Sequence, residues 1–290
     1  MTRWEEAFSK KQKRAKSASS PKAYRKVYAK TPQRVSIDSK QRKKTPAAQP
    51  APPRKDPAAK GKIPEQEKKA KPYPPALKKL RRSLDDVWAN ILLASKTKPS
   101  TLMLCGATNG EGCTFTSFHL SLFLTLEYEM RVLYVDTSTD GSGKHSIIPK
   151  LNERPGLAAY FTDDQPLSSL ILQSEYPNLF ILASGTAKVK GGLKKNIIFK
   201  QDSMKNLFSF CRENFDIAIF DGQPITFSPT MIEFAKSVDQ VVLVCRYGYT
   251  RREISTLAVE KLHKHDVNLL GLIFNDRQYP IPPKVYNLLK

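Results

Sequence analysis

The sequence predicts a doubly wound, mainly parallel α/β sheet preceded by a disordered basic tail, and three observations carry that prediction. First, charge and proline crowd the front of the chain. Of 48 basic and 27 acidic residues, 26 and 6 lie within residues 1–82, so a net +20 of the total +21 belongs there. The same stretch holds 11 of the 21 prolines. Second, from residue 76 onward the composition is nearly neutral, and short apolar runs alternate with amphipathic segments of helix length. Third, Gly and Asp residues recur where those apolar runs end. Strands buried on both faces, each followed by a helix, make a parallel sheet with helices on both sides. Such sheets bind ligands at the carboxyl ends of their strands.

Each segment can be read in order. In 1–16, Trp4, Ala7 and Phe8 stand at helical spacing ahead of a lysine-rich run. Two readings stay open there, a short amphipathic docking helix and a partly helical solvated segment. Residues 17–75 are too charged, too rich in proline and too poor in large apolar side chains to offset the entropy of ordering, so a disordered tail is expected. Residues 76–290 are long enough for one sizeable core. Within them, Leu80, Leu84, Val87, Trp88, Ile91 and Leu92 repeat with helix periodicity. The apolar runs Thr101–Cys105, Arg131–Val135, Leu179–Leu182, Ile217–Phe220, Gln240–Cys245 and Leu269–Phe274 predict strands. Helices are predicted near 113–129, 201–213, 229–237 and 250–265.

Cys105, Cys113, Cys211 and Cys245 match no zinc or redox spacing, and reduced, mostly buried thiols are expected. No run of 18 apolar residues is present and the N-terminus lacks the apolar core of a secretion signal, which predicts a cytoplasmic protein.

The loop after the first strand, LMLCGATNGEGCTFTS, is glycine-rich. A phosphate-binding loop uses glycines so that backbone N–H groups wrap the phosphates, a lysine for their charge, and Ser or Thr for magnesium. Gly110, Gly112 and Thr114 take the loop and magnesium positions, and Cys113 takes the lysine's. A neutral thiol cannot supply that charge. Each lost charge-assisted hydrogen bond costs roughly 1.5–3 kcal/mol, about tenfold to a hundredfold in affinity. A glycine turn kept only for strand–helix geometry is the competing reading. Asp136 and Asp221 end apolar strands, where carboxylates suit a hard cation such as magnesium or cap the following loop.

NGEGCTFTSFHLSLFL resembles the P-loop of the bacterial tyrosine kinases that control capsule and exopolysaccharide assembly. RVLYVDTSTD is similar to that family's second aspartate motif, and NFDIAIFDGQPI to its Walker B segment. LNERPGLAAYF, PNLFILASG and VVLVCRYGYTRREISTLAVEKLHKHDVNLLGLIFND follow in register. The resemblance implies a P-loop NTPase-like fold, ATP or ADP with magnesium as ligand, and Asp136 and Asp221 around the metal.

Against that pattern, Ser138 replaces the family's candidate base, and Thr139 and Asp140 replace the arginines that follow it. Gly222-Gln223-Pro224 replaces the segment after Walker B, and Thr230 a downstream aspartate. Arg82, Asp85 and Trp88 stand where the family's ring-forming helix motif falls, which leaves an oligomer open but without that motif. In place of a tyrosine-rich tail stand Tyr279 and Tyr286. Lys144 in a glycine loop is a substitute cation only if it reaches the site, and Lys188, Lys190, Lys194 and Lys195 read as a solvent-facing basic loop.

The resemblance with these departures implies a degenerate kinase-like scaffold or regulator in exopolysaccharide synthesis and export. Its nucleotide binding is expected to be weak or lost. Its partner would be a membrane-embedded co-polymerase or export protein, with residues 1–82 on the anionic inner face of the plasma membrane rather than on nucleic acid. An active tyrosine autokinase controlling chain length, and a membrane- or DNA-associated partitioning-type ATPase, are the alternatives. The last needs an early loop lysine where Thr108 stands.

Overall fold

The structure, a computed structural model, describes residues 74–138, 154–163, 165–185, 188–189, 192–193 and 201–276. The expected helix in 1–16, the tail over 17–73, and Lys144 lie outside these residues. All described residues belong to one unit, Lys55–Lys290.

The chain enters as α1 (Pro75–Ala94), whose first position suits a proline because that N–H has no intrahelical partner. Leu77, Leu84, Trp88 and Ile91 form its buried stripe. Leu92 was expected on that stripe but is 39% exposed, and Leu93 faces outward as well, because the stripe has rotated past them by this turn. β1 (Thr101–Gly106) follows, then α2 (Cys113–Glu127) and β2 (Val132–Asp136). Two short helices, α3 (Leu157–Asp163) and α4 (Leu167–Leu170), lead to β3 (Leu172–Gln173) and β4 (Leu179–Leu182). β5 (Lys188–Val189) and β6 (Gly192–Leu193) pair antiparallel, while Lys190, Lys194 and Lys195 of the expected basic loop lie outside the described residues. The remainder runs α5 (Gln201–Asn214), β7 (Ile217–Gly222), α6 (Pro229–Ser237), β8 (Gln240–Arg246), α7 (Arg252–Lys264) and β9 (Leu269–Asn275).

The main sheet has the order β3-β4-β2-β7-β1-β8-β9, parallel throughout except for the short β3. Its central strands alternate between two apolar layers, as the period of two along a strand requires. Leu102, Leu104, Tyr134, Ile217, Ile219 and Val242 face α1 and α2. Met103, Cys105, Leu133, Ala218, Phe220 and Leu243 face α3 to α7. At the amino ends of the strands, the Asp239 carboxylate accepts the N–H groups of Ser100 and Thr101 at 2.9 Å and the Arg212 guanidinium at 2.8 Å. This ties β1, α5 and β8 together on the side away from the glycine loop. Among the described residues, no helix is long and apolar enough to cross a membrane.

Candidate functional site

At the opposite ends of the strands, β1 delivers its glycine loop, and β2 and β7 deliver their aspartates side by side. Asp136 and Asp221 are register partners on adjacent parallel strands and are only 3% and 5% exposed. Tyr134 Oη donates to Asp221 Oδ2 at 2.9 Å, and Ser117 Oγ approaches Asp221 Oδ1 at 3.4 Å. Burial, reinforced by the neighbouring Asp136 charge, pushes the Asp221 carboxyl up to about 7 despite those donors. Asp136 and Asp221, both singled out in the sequence, therefore lie next to each other, while Thr114 stands in the first turn of α2. Tyr134 and Ser117 escaped notice because each sits inside an apolar segment.

The loop itself has the cradle conformation. Gly110 and Gly112 have φ of +81° and +82°, a region in which a side chain is strained. Gly112 leads into the first turn of α2, where N–H groups converge and an anion is favoured. Cys113, at the lysine position, is half-buried and turned back on the sheet. Its thiol donates to the Leu104 carbonyl at 3.0 Å. Burial, together with the Asp221 charge, holds this thiol well above its usual range, so it stays protonated. Cys105, Cys211 and Cys245 are buried free thiols, as expected.

Ser138 donates both its N–H, at 2.9 Å, and its hydroxyl, at 2.6 Å, to Asp136 Oδ1. It therefore orients a carboxylate where the resemblance led to a base. Trp88 is buried in the core, and Asp85 accepts the Tyr128 hydroxyl at 2.8 Å, so two of the three ring-motif positions serve the fold itself. Beside the loop, a groove of about 1040 Å³ runs between α1, the start of α2 and β9, with Asn90, Phe115, His119, Phe274 and Asn275 among its walls.

No protein-family profile matches the chain. Curated relatives do. The tyrosine-protein kinase Etk of Escherichia coli K12 is 24% identical over 180 residues, which span 62% of this chain and 24% of that protein. The tyrosine-protein kinase CpsD of Streptococcus agalactiae is 25% identical over 201 residues, 68% of this chain and 84% of the relative. The chain is homologous to the bacterial tyrosine-protein kinases. The solved kinase domain of E. coli Etk shares its fold at a TM-score of 0.55 and 20% identity, over 71% of this chain and 78% of that one. Against Etk as a whole, the chain spans about a quarter of the length; against CpsD, most of it.

Two adjacent carboxylates and the Thr114 hydroxyl suit a hard divalent cation with oxygen ligands. The loop turns through Gly110 and Gly112 at positive φ, and a neutral thiol, Cys113, opens the helix that follows.

Proposed function

We propose that this chain is a kinase-like protein that acts by binding rather than by phosphoryl transfer. It would serve as a cytoplasmic regulatory or scaffold component of bacterial exopolysaccharide synthesis and export. The observation that carries this reading is the Cys113 thiol, neutral and bonded to Leu104 at the place where phosphoryl transfer needs a positioned cation. Ser138 supports it, since its hydroxyl is committed to Asp136. The polysaccharide pathway and a membrane-embedded co-polymerase partner come from the kinase resemblance. The basic residues of 1–82 would add attraction to an anionic membrane face. ATP or ADP with magnesium is bound weakly or not at all on this reading, with Gly110, Gly112 and Thr114 as the residual cradle.

One observation favours a second reading, an active tyrosine autokinase: the carboxylate pair Asp136 and Asp221 is intact and adjacent. Incubating the full chain with magnesium and γ-labelled ATP separates the two. The scaffold reading expects no label in the protein. Label that disappears in Asp136→Asn or Asp221→Asn variants would establish the autokinase instead.

A further inference from the structure

A glycine loop that wraps an anion directs several backbone N–H groups to one side, and these need acceptors whether or not a ligand is present. In this chain one acceptor is internal. Glu111, in the middle of the loop, is 1% exposed and folded underneath it. Its Oε2 accepts the Thr108 N–H at 2.9 Å. Its Oε1 accepts the Thr250 hydroxyl at 2.5 Å, a residue 139 positions away at the start of α7. Asn275, at the end of β9, donates its side-chain N–H to the Glu111 carbonyl at 3.0 Å. Tyr249 adds a hydroxyl bond to the Asn109 carbonyl at 3.2 Å. The fit leaves no slack: a Cβ on Gly106 would lie 2.6 Å from Glu111 Oε2, and one on Gly112 would collide with the Asn275 amide.

We infer that Glu111 is the loop's built-in anion, a positioning residue that holds the cradle in shape with no bound phosphate. Its carboxylate bridges the loop to the segment after β8, while Asn275 fixes the same residue's backbone from β9. The loop conformation is then a property of the fold and not of occupancy. This inference goes beyond the scaffold proposal and stands whether or not nucleotide binds.

Hydrogen exchange on the full chain tests it, comparing peptides over 106–113 with peptides over β1 and β7. Nucleotide-free protein is expected to show a protected loop. Glu111→Ala is expected to speed loop exchange about tenfold, the factor that one lost hydrogen bond to a charged group allows, with the strands unaffected. Glu111→Gln keeps an acceptor for Thr108 and is expected to fall between the two, and Thr250→Val should loosen the loop to a similar, smaller extent. If Glu111→Ala fails to fold, the last two variants carry the test. A loop that exchanges freely in the unmodified chain, or equal loop protection in all variants that fold, would overturn the inference. Micromolar ATP binding by the unmodified chain would overturn the scaffold proposal and leave this one untouched.

Discussion

At the scale of single residues, the site is defined by how charge is handled out of water. Asp221 is a buried carboxylate facing another, and its pKa stands near 7 against an ordinary 3.8. The folded chain therefore binds a proton that the unfolded chain has already released between those values. The resulting stabilisation is complete below about pH 4 and is lost as the pH rises through about 7. Thermal melts between pH 5 and 8 should show falling stability, and Asp221→Asn should flatten that slope. An unchanged slope in the variant would mean that another group is responsible. Cys113 makes the complementary case. Because its thiol is half-buried, bonded to Leu104 and hard to ionise, alkylation of the native protein at neutral pH should be far slower than that of a free cysteine. Rapid iodoacetamide labelling of Cys113, followed by mass spectrometry, would contradict that geometry.

At the scale of elements, the decisive contacts are apolar and the visible ion pairs are minor. Trp88 carries α1 onto the sheet, 2% exposed and edge-on to Tyr128 with ring centres 6.4 Å apart. Trp88→Ala should cost about 3–5 kcal/mol in chemical denaturation, the range for a buried aromatic. Arg81 also joins α1 to α2, through Glu127 at 2.6 Å, but its side chain is 63% exposed. Arg81→Ala should therefore change stability by less than about 1 kcal/mol. A reversed ranking of these two variants would mean that α1 is held by charge.

The same elements show what could be read in advance. The six long strands and the four following helices were legible because each is a clean apolar run or a periodic segment bounded by Gly, Pro or charge. Between 157 and 193 only β4 was legible among the described elements. α3 is buried along nearly its whole length, from Leu157 to Phe161, so it shows no periodicity. β3, β5 and β6 are two residues each, too short to leave a pattern. In the site, Gly110, Gly112, Thr114, Asp136 and Asp221 were legible from spacing along the chain. Glu111, Thr250 and Asn275 were not, since their bonds join positions 139 and 164 apart.

At the scale of the whole molecule, a nearly neutral kinase-type fold is joined to a front segment that carries almost all the net charge. If that segment meets an anionic leaflet, as proposed, binding of the full chain to vesicles containing phosphatidylserine should weaken steeply between 50 and 300 mM salt, at about 1 kcal/mol of attraction per engaged basic residue. Binding insensitive to salt would rule out an electrostatic attachment. On the proposed reading, the protein keeps a kinase-like frame while its glycine loop is stabilised from within. The most direct test of that account is a calorimetric titration of the full chain with ATP and ADP in magnesium, run beside a Cys113→Lys variant. The account predicts no binding by the unmodified chain up to millimolar nucleotide, and measurable binding once the lysine is restored. Micromolar binding by the unmodified chain, weakened by Asp136→Asn or Asp221→Asn, would contradict it.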